Sequence, residues 1–295
     1  MKNTHILLII ATLLLSSCKI ADMRTNSIKD NGISTEAYNK GKKILDETWY
    51  KHGFNKFSEH KTYSFNGSDT WKGLMGKMGK PWPEAKSNMN FKYEVGSFDS
   101  QVTYLDGKRE GITAGLQSWN YYEMVSPREI DQLKMNKKVR FGLSAYHYFF
   151  EMLDRLKDVP IIQYGGEITF NGNDYNIVFA TWNKVEPHKE NDQYKLLINK
   201  KTGLLDYAIY SLRENYLKFP GSGSFYGSIK YDDYKEVDGI LIPHKQTVFL
   251  NSPKENIKKH AHQLIVTDFK FDGFDSSLLK PLSDINPTGD SKIKG

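Results

Sequence analysis

Cysteine is almost missing from this sequence: there is one, Cys18, in 295 residues. A single thiol excludes any disulfide within the chain, so nothing covalent braces the fold. Long apolar runs are equally scarce. Only Ile6 to Leu15 stands out, and it is shorter than the roughly 20 residues a spanning helix needs. Catalytic and nucleotide-binding signatures are missing too. There is no Gly-x-Ser-x-Gly elbow, and Gly221-Ser222-Gly223-Ser224 reads as a flexible turn. Gly73, Gly76 and Gly79 suggest a phosphate cradle, but Gly79-Lys80 runs into Pro81 where a Ser or Thr opening a helix is required. Asp232 and Asp233 are neighbours on one strand and face opposite ways, so they cannot share a substrate. His260-x-His262 would place both rings on one strand face, yet only His244 offers itself as a third ligand, and no metal site is expected. His188 sits among Glu186, Glu190 and Asp192 in a polar loop and reads as solvated. The net charge of +6 is dispersed, and the Tyr/Lys mixture at Tyr231–Lys235 suits a sheet edge without nucleic acid. These absences imply no cofactor and no enzyme, with a hydrolase as the weakest alternative.

What is present begins with Met1–Cys18, MKNTHILLIIATLLLSSC: a lysine, an apolar run, then Leu15-Ser16-Ser17-Cys18. This resembles the lipobox of bacterial lipoprotein precursors. The resemblance implies a signal peptide over 1–17, cleavage before Cys18 and acylation of Cys18, which makes the membrane a partner through the N-terminal lipid. Several acyl chains on one residue hold a membrane firmly. Lys19 follows, where an Asp would favour the inner membrane, so the expected location is the outer membrane, with the body facing the periplasm or the surface. Residues 18–35 are polar and aperiodic and read as a tether.

The rest is rich in strand-forming residues, with 18 Tyr and 16 Phe. Ser34 or Thr35 caps a helix whose apolar residues Ala37, Ile44, Leu45 and Trp49 recur at helical spacing until His52-Gly53. Strands then follow, the cleanest being Met89–Val95 with Phe91 and Tyr93 on one face, and Ile112–Met124 with Trp119, Tyr121 and Tyr122. Ser126-Pro127-Arg128-Glu129 has the spacing of a capping box and predicts a helical insert to about Lys157, broken near Gly142 and carrying Phe149. Strands resume at Gly165–Phe170 and Tyr175–Trp182 around Asn171-Gly172. In Tyr194–Lys245, three strand-like runs are punctuated by Lys201-Thr202-Gly203, Pro220–Gly223 and Asp238-Gly239, and His262–Phe271 closes the series. The expected fold class is α+β, an antiparallel sheet with an N-terminal helix and a helical insert.

The order of these parts, with YKLLINKKTGLL from Tyr194 and IKYDDYKEVDGILIPHK from Ile229, resembles the bacterial lipoprotein-carrier superfamily that includes LolA, LolB and LppX-like proteins. The resemblance implies a strongly curved half-barrel over 36–279 whose concave side is covered by the helix and the insert, followed by a flexible tail over 280–295. It also implies an apolar cavity for lipid or lipoprotein acyl chains, in a monomer serving lipoprotein sorting or lipid transport. Cavity-lining candidates are Phe91, Tyr93, Trp119, Tyr121, Phe149 and Trp182; candidates for an apolar loop at the mouth are Leu74, Met75, Met78 and Trp82. The alternative is a structural or interaction lipoprotein with a filled core.

Overall fold

The computed structural model describes residues 20–126, 129–131, 136–213, 222–283 and 285–286. Strands β1 (Thr62–Trp71), β2 (Lys86–Glu94), β3 (Ser100–Tyr104), β4 (Thr113–Gln117), β5 (Asn120–Ser126) and β6 (Glu129–Asp131) form one antiparallel meander. Strands β7 (Ile161–Phe170), β8 (Asn173–Thr181), β9 (Gln193–Asn199), β10 (Leu205–Ser211), β11 (Tyr226–Val237), β12 (Ile240–Leu250) and β13 (His262–Phe271) form a second. The two join where β1 pairs with β13, Tyr63 opposite Phe271 and Trp71 opposite His262. The product is one sheet of 13 strands among the described residues, open, with β6 and β7 as its edges.

Turn chemistry explains most of the hairpins. Asn171-Gly172 and Asp238-Gly239 take positive φ at both positions (49° and 75°; 51° and 79°), which the tight hairpin requires. Ile112–Met124, expected as one strand, is instead a hairpin. Ser118 and Trp119 turn between β4 and β5 with φ of 47° and 66°. Neither is glycine, so the turn left no mark in the residue pattern.

Helix α1 spans Asn26–Asn31 and α2 spans Thr35–Lys51. Ser34 caps α2 by accepting from the Ala37 amide at 3.1 Å, and Gly41 lets the helix lie on β7, since a Cβ there would stand 2.7 Å from the Tyr164 nitrogen. A short helix α3 (Gly73–Met78) follows β1. The insert differs from expectation. Ser126 ends β5 and pairs with Glu129 of β6, so these residues serve the sheet and not a helix start; Pro127, Arg128 and residues 132–135 lie outside the described part. Helix α4 runs Lys137–Leu156, capped by Asn136 Oδ1 on the Val139 amide at 3.2 Å, and passes through Gly142 without a break. Gly142 is a point of close approach: a Cβ would meet Pro81 Cβ at 2.7 Å.

Thirteen of the twenty residues of α4 are buried. A helix apolar on most sides is a central one. It touches β3 and β4 at one end of the strand order, and its Tyr148 stacks on Tyr194 of β9, 5.6 Å between centroids, at the other. Those nine neighbouring strands would span about 38 Å if flat, against a helix about 10–12 Å across. The sheet therefore curls around α4.

Both ends of the described chain dock on the opposite face of the sheet. Val178 and Ala180 face α4, while Tyr175, Ile177 and Phe179 alternate outward and pack with Ala21, Met23 and Ile28. The stretch expected to be a loose tether is thus bound from Ala21 on, with the Ala21 amide on Gly223 O at 2.8 Å and the Met23 amide on Gln193 Oε1 at 3.0 Å. The start of the expected flexible tail is bound as well: Leu279 and Leu282 are buried, and Leu282 exchanges two hydrogen bonds with Gln117, at 2.8 and 3.1 Å. Outward-facing polar side chains, Gln101 and Gln117, supply the partners that apolar pattern reading overlooks.

Candidate functional site

Phe65, Gly67, Asp69 and Trp71 alternate along β1 onto the side of the sheet that faces α4. Asp69 is fully buried, and its carboxylate gathers four donors. Oδ2 accepts from Trp71 Nε1 at 2.7 Å, from Trp82 Nε1 at 2.8 Å and from the Tyr146 hydroxyl of α4. Oδ1 faces Nδ1 of His262, at 3.2 Å, which donates to it. The β1–β13 register puts Trp71 across from His262, and their rings stack at 4.0 Å. Burial, then the charge of Asp69, pushes the Tyr146 hydroxyl well above the ordinary tyrosine range, so it stays a donor. A buried carboxylate is tolerable only when its oxygens are satisfied in this way.

Beside this hub lies a crevice under the N-terminal half of α4, with Tyr146, Ala145 and Phe149 on one wall and Tyr210, Val248 and His262 on the other. Its volume is about 60 Å³. Sites for small molecules run to about 300–1,000 Å³, and one water takes about 30 Å³. As it stands, the crevice admits the tip of a ligand. Trp71 and Gly79, on either side of α3 in the chain, line the crevice; within α3, Leu74 is 69% and Met78 62% exposed, and the Met78 carbonyl accepts from Lys138 Nζ at 2.9 Å. A wider hollow of about 800 Å³ on α2, walled by the side chains of Lys42, Lys43, Asp46 and Glu47, is open to solvent.

A second polar group lies deeper along α4. His147 Nε2 meets Glu151 Oε1 at 2.9 Å, and Arg155 pairs with Glu151 at 2.6 Å. Burial holds His147 below its ordinary range. Burial alone would raise Glu151, but His147 and Arg155 together outweigh it and hold the carboxyl below its usual range.

No protein-family model matches the sequence and no curated protein does. Among solved structures, a putative outer membrane lipoprotein-sorting protein domain from Vibrio parahaemolyticus is similar, with 10% identity, 82% of this chain and 97% of that one covered, and a TM-score of 0.50. The chain shares the fold of that domain. A LolA superfamily protein from Nitrosomonas europaea (10% identity, 81% and 96% covered, TM-score 0.48) and a DUF1329 family protein from Desulfovibrio piger (11%, 82% and 97%, 0.49) are also similar. At such identities the likeness concerns the fold alone.

On this frame the residues singled out in the sequence separate. Phe149 borders the crevice. Phe91, Tyr93 and Tyr121 are buried in the core between sheet and α4, packed by neighbours, and Trp182 is partly buried against the same core. Trp119 sits at the β4–β5 turn rather than within a strand, its ring 4.6 Å from Phe98. Of the mouth residues, Leu74 and Met78 are displayed, whereas Trp82 is 1% exposed because its indole nitrogen is drawn in to Asp69. Met75 falls in α3, but its side chain is outside the described part, as is Cys18. His260 precedes β13 and turns back to Ile257 O at 2.7 Å, so it does not share a face with His262. Among the described residues no group of three or more His, Cys, Asp or Glu could hold a metal, and no helix is long and apolar enough to cross a membrane. The hub of Asp69, Tyr146 and His262 escaped the sequence reading; its one local trace is Asp69-x-Trp71, a carboxylate and an indole on the same strand face.

Proposed function

We propose that this protein is a cell-envelope lipoprotein, anchored through Cys18 in the outer membrane, which binds the acyl chain of a lipid or lipoprotein as a monomer. Its parts would be the signal peptide 1–17, the anchored segment from Cys18, and the LolA-like body. The observation that carries this reading is the apolar crevice between α4 and β10–β13, lined by Trp71 and Gly79, the residues that flank the α3 turn bearing the exposed Leu74 and Met78. The similar domain described as outer membrane lipoprotein-sorting agrees with it. Each buried CH₂ contributes about 0.8 kcal/mol, so an apolar groove binds an acyl chain without any catalytic group. A full chain needs more room than 60 Å³. Entry therefore requires α3 and the Gly79–Pro83 segment, which presses on α4 at Gly142, to move outward.

A second reading, an interaction lipoprotein with a filled core, is favoured by the extent to which α4 occupies the curl of the sheet. Native mass spectrometry separates the two. The chain from Lys19 on retains every contact described above. Incubated with a lysophospholipid, it should carry one lipid per chain and melt higher, by the equivalent of about 2.7 kcal/mol at 100 times the dissociation constant. Ala145→Trp, which fills the crevice, should abolish both. No adduct and no shift would leave the filled core as the function-bearing form.

A further inference from the structure

We infer that the crevice selects acyl ligands with a free carboxylate, and that His262 is the residue that reads it. This rests on the acyl-binding reading above and deepens it. His262 is 5% exposed and lines the crevice on its β1–β13 side. Its ring is held from three directions: Trp71 stacks on one face at 4.0 Å, Asp69 Oδ1 takes Nδ1–H at 3.2 Å, and the Tyr146 oxygen stands 3.3 Å from the same nitrogen. Every polar contact of the imidazole is thus made through Nδ1. Among the described residues Nε2 has no hydrogen-bond partner. The ring is buried and orientated, it lines the apolar crevice, and its second nitrogen is left open for a ligand.

The chemistry follows from the tautomer. Asp69 accepts from its other partners, Trp71, Trp82 and Tyr146, on Oδ2, which leaves Oδ1 to His262 and fixes the proton on Nδ1. Nε2 is then the basic atom, backed by a carboxylate, in the arrangement that stabilises an imidazolium. A ligand carboxylate placed at Nε2 draws one proton from water onto that nitrogen and accepts the resulting N–H, so the cation lies between two carboxylates. The titratable groups facing the ring are Asp69 from β1 and Tyr146 from α4. From this head position the alkyl chain leads across Val248 of β12 toward Tyr210 of β10, beneath Phe149. An ester offers no negative charge and leaves Nε2 unprotonated.

The test compares dodecanoate with methyl dodecanoate, by calorimetry in two buffers of different ionisation enthalpy, on the chain from Lys19 on. The acid should bind about 10–100-fold tighter than the ester, the size of one charge-assisted hydrogen bond, and should bind with net proton uptake. His262→Gln should bring the acid-to-ester ratio close to one and remove the proton uptake. Equal binding of the two probes by the wild type, or a ratio that survives His262→Gln, overturns the inference and leaves acyl binding standing. Binding of neither probe overturns both. Should the variant fail to fold, the imidazole nitrogen resonances of wild-type His262 decide: Nε2 must change from unprotonated to protonated on adding dodecanoate, and an unchanged resonance refutes the assignment.

Discussion

Replacing Asp69 should destabilise the protein in a graded way that follows from its four donors. Asp69→Ala removes every acceptor at a fully buried position. The loss is smaller than four orphaned donors would give, because two of them can serve each other. The Tyr146 hydroxyl already lies 3.3 Å from His262 Nδ1, so once the histidine proton moves to Nε2 the tyrosine can donate to the bare nitrogen. Trp71 is half-buried and can turn to water. Trp82, 1% exposed, cannot, and its Nε1 is left unpaired at a cost of about 1–3 kcal/mol. With the small cavity added, Asp69→Ala should cost about 3–5 kcal/mol, the range for a buried charged partner removed. Asp69→Asn keeps one carbonyl oxygen for Trp82 and Tyr146, and its amide can donate to the bare His262 nitrogen, so about 1–2 kcal/mol is expected. Urea titration followed by tryptophan fluorescence reads both variants. Equal stabilities for Asn and Ala, or a loss under about 1 kcal/mol for Ala, would show that Asp69 does not organise this end of the core.

Two further outcomes test other parts of the fold. Burial lowers His52 to about 4, and its Nε2 accepts from the Leu205 amide at 3.1 Å. The unfolded chain therefore takes up the proton first, and stability falls as pH drops from about 6.5 toward 4, by about 3 kcal/mol in all. Half-buried Asp192, raised to about 6, works in the opposite sense over nearly the same window, so the comparison should be between wild type and His52→Gln, in which the Asp192 contribution is shared. The variant should lose distinctly less between pH 7 and pH 4.5 in urea midpoints; parallel losses would refute a neutral buried His52. Ile28→Ala should cost about 2–3 kcal/mol if residues 20–31 pack as described, and under about 0.5 kcal/mol if they are a tether, measured by thermal or urea unfolding.

Local signals were legible where local chemistry decides. The Ser34 cap of α2, the paired positive-φ turns at Asn171-Gly172 and Asp238-Gly239, and the final strand His262–Phe271 are all written in adjacent residues. Reading failed where a distant partner decides. Ser118-Trp119 turns without glycine, Glu129 joins a sheet edge although its spacing suits a helix cap, and Gly142 stays helical because it sits under Pro81. Ile28 looks like an isolated apolar residue until β8 and β10 supply the face it covers.

What the amino-acid order determined by itself is the alternation of strands, their turns and one amphipathic helix, because those depend on φ preferences and on periods of two and 3.6 residues. The tertiary structure alone decided that β1 pairs with β13, which joins two meanders into one sheet and brings Asp69 within 3.2 Å of a histidine 193 residues away. It also decided that α4 fills the curl of that sheet and contributes Tyr146 to the same carboxylate. Neither pattern nor propensity carries such information, since a side chain's neighbours across a fold are set by long-range pairing and packing.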